Sequence, residues 1–529
     1  MFVAAPVEDT FKPETVPAPV GGLNAYDSLA AMPDTDAILL ENWWIQPYGC
    51  SMRKGYSEWT TGLPASIGTI AGWFGTDGTQ KLFAWSSTGM YDISARAVAG
   101  AAIVSGLSNS SWETVTFTNT AGGNLIAVNG VDNGIIYKAA GVARLVLGDG
   151  IVVNTWAGLN PAEAVQLTVH QHRLWAVKKN SPVGYYLPPD AVQGTFLSYD
   201  FGPLFKKGGN LQFLSTWTLD DGNGAEDHLL AVSSRGEAVV FSGTDPSSST
   251  AWALVGVYDI GAPVAGRRSH CKAGGDQLVL TQQGLVSMTS MLVSTKVESA
   301  EQPLTSLKIQ FLLSELTSSY GTLTGWQVLY HPTINMVLVN LPSATASLIG
   351  QLAANQITKG WCTFSGMSAA SWCSHNNLLY FGNTLGTVYK AWDGNSDNVL
   401  LNDTGGTGVN ALAQQAYSYF GGRGTQKQVG MYRPTFVTRG EVAYATEIVY
   451  NFVEDTVVTT GSVPGLSAGL WNTALWGSGL WGGGSNVQQA WIQARGMGVA
   501  ASLKMATQSA SEVLWISTDY TLVNTRGVL

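Results

Sequence analysis

Residues 124–138 read NLIAVNGVDNGIIYK. A polar residue introduces an apolar run, Leu125 to Val128; a turn-forming stretch ending in Asn133-Gly134 follows, then a second apolar run from Ile135 to Tyr137. Asn-Gly suits a tight turn that wants positive φ at both central positions, so this stretch predicts a β-hairpin. Its first half recurs along the chain as KLFAW (81–85), NLIAV (124–128), RLWAV (173–177), HLLAV (228–232), QLVLT (277–281), NMVLV (335–339) and NLLYF (377–381). Successive starts lie 43, 49, 55, 49, 58 and 42 residues apart, with a mean of about 49. Most copies are followed by a Gly-bearing turn and another apolar strand, as in SSTGMYDI, SRGEAVVF and TLGTVYKAW; the copy at 335 lacks a clear Gly turn. Hairpin units repeating every 40–50 residues are the mark of propeller blades.

The physical logic is burial. One small sheet cannot cover both of its faces, whereas stacked blades cover each other and ring closure removes the two terminal interfaces. The expected fold is therefore all-β, a β-propeller of six or seven blades over residues 61–400. An irregular pair of β-sandwiches is the alternative. Residues 1–60 are expected as an N-terminal extended arm and assembly segment. Within it, Thr35 to Trp44 has the spacing of a short helix, with Asp34 as N-cap and Ala37, Leu40 and Trp44 on one face. The polar, Gly-rich stretch 395–415 suggests a boundary, after which 401–529 reads as a C-terminal Trp/Gly-rich β-domain. There Thr456 to Ala494 carries no charge and holds Trp471, Trp476 and Trp481. Residues five apart in a strand fall on opposite faces, so these rings do not form one flat stripe. They suit packing or subunit contact, with membrane or sugar contact as alternatives.

The composition narrows the function classes. Of 529 residues, 45% are hydrophobic and only 12% charged, with 62 Gly and 19 Trp. Charge is about half the usual ~25%, which suggests surface buried in an assembly. A net charge of −9 argues against a protein that coats DNA. Four cysteines match no zinc pattern and no disulfide framework. The N-terminus lacks the basic region and apolar core of a signal peptide, and no apolar run is long enough for a transmembrane helix.

No catalytic constellation stands out. Gly-x-Ser-x-Gly, Walker A and sialidase-type Asp-box phrases are absent from the sequence. His170-x-His172 could face one side of a strand but has no third ligand nearby. Asp220, Asp221, Glu226 and Asp227 suit a solvated hairpin tip. The pairs Arg53-Lys54, Lys178-Lys179, Lys206-Lys207 and Arg267-Arg268 read as solvated turns, or as contacts to an acidic surface or phosphate. No catalytic residue, cofactor or metal is expected.

Three segments resemble a known family. Gly21-Gly22-Leu23-Asn24, Met32-Pro33, Ala37, Leu40, Asn42-Trp43, Gly49 and Arg53-Lys54-Gly55-Tyr56 look like the opening of tail nozzle proteins of short-tailed bacteriophages, also called distal tail-tube or packaged-DNA-stabilisation proteins. GRRSHCKAGGDQLVLTQQGLVSM (266–288) resembles a blade of the same proteins, and so does Trp471, Trp476 and Trp481 followed by Arg495-Gly496-Met497-Gly498. The resemblance implies a structural virion protein, not an enzyme. It would form a homohexameric nozzle below the head-to-tail adaptor ring and be assembled in the host bacterial cytoplasm. Its channel would retain and then conduct the genome without sequence-specific binding. A tail needle or plug and tail fibres or spikes are further expected partners. Trp43, Trp44, Arg53 and Lys54 would tie subunits together or clamp the adaptor, and Trp471, Trp476 and Trp481 would serve distal subunit contacts. The alternatives are a receptor- or glycan-binding propeller of the tail and a propeller glycan hydrolase, which would need two carboxylates in a cleft.

Overall fold

Every copy of the repeated phrase lies in the second strand of a blade. The computed structural model describes residues 11–220, 225–293, 305–343, 349–440, 442–453, 459–463, 486–488 and 490–528. They belong to two units: Glu58–Gly350 with Ser368–Lys390, and Met1–Ser57 with Gln351–Met367 and Ala391–Leu529.

The first unit is a seven-bladed β-propeller. Its innermost strands are Ile67–Phe74, Glu113–Asn119, Ala164–His170, Leu211–Asp220, His270–Ala273, Gln327–His331 and Ala369–His375. Each pairs antiparallel with the strand that carries the phrase: Gln80–Ser86, Gly122–Val128, Arg173–Lys178, Ala225–Ser233, Asp276–Thr281, Met336–Asn340 and Leu378–Asn383. The choice between six and seven blades thus resolves to seven. Second strands are covered on both faces by neighbouring blades, which is why they read as continuous apolar runs. Leu174, Trp175, Ala176 and Val177 are all fully buried. In the second blade the hairpin forms as expected, but the loop before Ile135 is longer than a two-residue turn. Its positive φ falls at Gly130 (72°), and the Asn129 side chain accepts from the backbone N–H of Val131 and Asp132.

The second, third and fourth blades end in a fourth strand, Gly141–Arg144, Leu197–Asp200 and Trp252–Asp259. The fifth is followed instead by helices Met288–Val293 and Gln310–Tyr320. The seventh takes its outer strand from the start of the ring. Tyr56–Thr61, which belongs to this unit from Glu58 onward, lies beside Val388–Ala391. Closing the ring with an early strand leaves no terminal blade interface exposed.

Side chains of the inner strands rivet blade to blade. Gln166 donates to Leu214 O (2.9 Å) and accepts from Leu214 N–H (3.1 Å). Gln327 makes the same pair with Trp372, at 2.8 and 2.9 Å. Thr69 does so with Trp112 through one hydroxyl, at 3.1 and 2.8 Å. Ser371 closes the ring onto Ile67 O at 2.7 Å. Each copies a step of β-ladder across an interface where no strand pairing exists. Replacing Gln327 with leucine keeps the volume but strands the buried N–H and C=O of Trp372. Urea unfolding should show a loss of about 2 kcal/mol; an unchanged midpoint would deny the rivet its role.

The second unit is a β-sandwich. In one sheet Val513–Val528 pairs with Phe11–Pro17, with Thr425–Thr438 and with Gly49–Met52, which in turn pairs with Trp43–Gln46. The other runs through Gln351–Asn355, Trp361–Phe364, Asp36–Glu41, Gly405–Gln415, Ala501–Ser509, Val442–Tyr450 and Thr459–Val463. The sheets meet through Tyr432 and Thr446 (Oη to Oγ1, 2.9 Å), Phe436 and Tyr444 (ring centroids 6.0 Å apart), and Tyr520 and Gln415 (3.1 Å).

Several expectations change here. Thr35 to Trp44 holds no helix; strands Asp36–Glu41 and Trp43–Gln46 are joined at Asn42, with φ 60°. The apolar spacing fits either periodicity, and pairing of Ala37 to Glu41 with residues 412–415 decides it. The extended arm forms a strand over 11–17, paired with 517–523. The divisions at 60 and 400 give way to units that interleave. Residues 351–367 and 391–400 join the sandwich rather than the propeller, and the N-terminal segment and C-terminal domain make one unit. The Gly-rich stretch 395–415 is not a boundary between domains but a hairpin, Ser396–Val399 with Gly405–Gln415, turning over residues 400–404 with Asp403 at φ 60°.

Candidate functional site

The sandwich holds four of the residues expected to touch partners, and three of them lie in its core. Trp43 is fully buried against Trp515, ring centroids 5.7 Å apart. Trp44 is 4% exposed and sits between Trp392 (5.5 Å) and Phe364 (6.3 Å). Arg53 is 2% exposed; both terminal nitrogens reach Asp397 at 2.7 Å, Nε donates to Asn42 at 2.8 Å and Nη2 to Ser365 O at 2.9 Å. Partner contact by these three is therefore corrected to an internal role: a buried guanidinium needs its charge and donors met from within. Lys54 remains partly exposed, 3.4 Å from Glu512 and 3.0 Å from Asn395. Trp471, Trp476 and Trp481 lie outside the described residues. The neighbouring Trp491 is 41% exposed, with the Arg433 guanidinium 4.6 Å from its ring centroid.

His170 and His172 do not share a strand face. The strand ends at His170, and Gln171 and His172 turn with φ 47° and 56°. His172 faces Asp190 at 3.5 Å. Among the described residues, no three His, Cys, Asp or Glu side chains stand close enough to hold a metal ion.

At the propeller axis, the starts of the inner strands surround a cavity of about 400 Å³. Arg267 and Arg268, expected in a solvated turn, project into this cavity instead. They precede strand His270–Ala273, after Gly266 at φ 103°. Arg268 crosses from the fifth blade to the first two. Its Nε bonds the Glu113 carboxylate at 2.9 Å, Nη1 donates to Gly68 O at 3.0 Å, and Nη2 donates to Thr69 Oγ1 at 2.7 Å and to Trp112 O. Arg267 Nη1 donates to Leu211 O at 3.1 Å and to Gln212 O. Burial pushes the Glu113 carboxyl up, against the pull of Arg268 and Arg267. Burial also pulls Arg267 down, with Glu113 opposing. Ser66, Ser111 and Thr324 add hydroxyls to the wall.

Arg268 and Glu113 lie far apart in sequence, so spacing cannot reveal the pair. A second feature was open to reading: QLTVH (166–170) and QVLYH (327–331) repeat the same Gln-to-His spacing. In both blades Gln is the rivet, and the His Nδ1 meets a hydroxyl of the next blade, Thr216 or Ser374, at 2.9 Å.

No protein-family model and no curated protein sequence matches the chain. Among solved structures it is similar to the β-propeller domain of Cps50 (Swd1) from Myceliophteria thermophila, with 11% identity and a TM-score of 0.38 over 63% of this chain and 98% of that one. It is also similar to YCF48 bound to D1 peptide, with 10% identity and a TM-score of 0.35 over 68% and 99% of the two chains. Raptor from Chaetomium thermophilum gives 12% and 0.36, over 66% of this chain and 29% of that one.

Proposed function

We propose that this propeller protein is a structural component of a short-tailed phage tail. Six copies would form the nozzle below the adaptor ring, and the genome would pass along a conduit between subunits. The carrying observation concerns the opening segment that bears the family resemblance. Most of its residues pack into the core of the sandwich: Ala37, Leu40 and Trp43 are fully buried, and Asn42 and Arg53 are 2% exposed. A Cβ on Gly22 would stand 2.6 Å from Trp361 N, and one on Gly55 would stand 1.9 Å from Ser396 O. The resemblance thus falls on residues that specify a fold, where a shared sequence pattern carries structural meaning.

The propeller axis supports a scaffold role. Its inner strands meet through interlocked side chains, which supports a DNA path outside the blade ring rather than along its axis. A hydrolase would call for a pair of carboxylates about 5–10 Å apart. The described residues lining the axial cavity include one carboxylate, Glu113, and it is bonded to Arg268. Among the described residues no helix is long and apolar enough to cross a membrane.

The test is electron microscopy and mass measurement of the full chain, alone and mixed with adaptor rings. A six-fold ring with a through-channel, six copies of a 56.0 kDa chain, is the expected result. A particle that stays monomeric or trimeric and never joins the tail axis would overturn the proposal.

A further inference from the structure

The axial cavity has one cation to spare. Its described lining carries two guanidinium groups and one carboxylate. Arg268 donates from all three of its nitrogens, to Glu113, Thr69 and two backbone carbonyls. Arg267 anchors through Nη1 alone; among the described residues its Nε and Nη2 donate to nothing. A half-buried guanidinium with free donors favours an anionic acceptor, since such charge-assisted bonds are about twice as strong as neutral ones.

We infer that this cavity binds a single carboxylate carried on a short polypeptide segment, gripped by Arg267 and bordered by the Ser66, Ser111 and Thr324 hydroxyls. The charge count selects the group. One negative charge neutralises the site, whereas a phosphate dianion would leave excess charge in a partly buried place, at a desolvation cost. Size selects the carrier: about 400 Å³ has room for an acidic side chain and the peptide units on either side of it. Peptide N–H and C=O groups would meet the hydroxyl wall, which both donates and accepts. The occupant is thus an acidic peptide from a partner protein. This inference does not depend on the nozzle reading and is tested on the chain alone.

Titration calorimetry of the full chain would use acetyl-Gly-Glu-Gly-amide, its Gln counterpart, propionate and inorganic phosphate. The Glu peptide should bind at least about tenfold more tightly than each of the others, a difference of about 1.4 kcal/mol. Arg267→Gln should weaken the Glu peptide by about tenfold or more. Because Arg267 also anchors two carbonyls, Ser111→Glu provides a second variant. Ser111 is exposed at the rim, so the change should leave the melting temperature alone while its charge blocks the site. Equal binding of the Gln peptide, propionate or phosphate would overturn the inference, as would no binding of the Glu peptide. So would full binding by Ser111→Glu.

Discussion

Replacing Arg53 with alanine is expected to destabilise the sandwich by about 3–5 kcal/mol, the cost of removing one partner from a buried ion pair. The Arg53 side chain is 1% exposed and that of Asp397 12%. Five hydrogen bonds vanish with the guanidinium: two to Asp397 and one each to Asn42, Ser365 O and Lys54 O. Asp397 is left buried without its countercharge, and Asn42 loses one of the contacts that hold the left-handed junction between two strands. For a unit of this size the calorimetric transition should fall by roughly 10 °C. The Arg53→Ala/Asp397→Ala double variant should recover part of the loss, because neither charge is then stranded. A shift below about 2 °C in the single variant would show that the pair does not hold the unit together. The propeller rivets, which involve none of these residues, should be unaffected.

Lowering the pH from about 6.5 to 4 should cost the propeller several kcal/mol. His170 and His270 are held down to about 4 from an ordinary value of 6.5, chiefly by burial. His331 and His375 are lowered by the same cause. Above pH 6.5 neither folded nor unfolded chain protonates these rings, and the full stability is present. Between 6.5 and 4 the unfolded chain takes up protons that the folded ring refuses, so stability falls with pH. Below the folded value the loss levels off. At about 1.4 kcal/mol per pH unit, the shift of His170 alone is worth roughly 3 kcal/mol. The structural basis is visible at each ring. His170 Nδ1 is committed to the Thr216 hydroxyl, and the His270 ring lies flat on Phe213, centroids 4.0 Å apart and planes 9° apart. Glu113 works in the opposite direction, since its raised value favours the folded state as pH falls. Urea midpoints measured at intervals from pH 7.5 to 4 would show the slope. His170→Gln should flatten it by about one proton's worth; an identical slope in that variant would remove His170 from the account.

The propeller was legible because its signal is local. Each second strand is covered on both faces, so its apolar run repeats wherever a blade repeats, and seven copies mark seven blades. The helix expected at Thr35 to Trp44 shows the limit of that signal. Ala37, Leu40 and Trp44 are buried as the pattern requires, yet strand pairing sets their backbone, Ala37 and Leu40 with a segment almost 400 residues away and Trp44 with Ser51. The Gln-to-His spacing of residues 166–170 and 327–331 was a local signal left unread.

The amino-acid sequence by itself determined the all-β class, the blade repeat and its phase, because turn chemistry and side-chain burial act over a few residues. Tertiary structure alone decided the rest. It joined Phe11–Pro17 to the last strand and sent Arg53 to Asp397, inside the sandwich. It also carried Arg268 across the axis to Glu113. Each of these pairings is between residues more than 150 positions apart. Such contacts leave no periodicity in the chain, since they form only once closure of the sheets brings a buried charge or an unpaired strand edge to the one partner that can satisfy it.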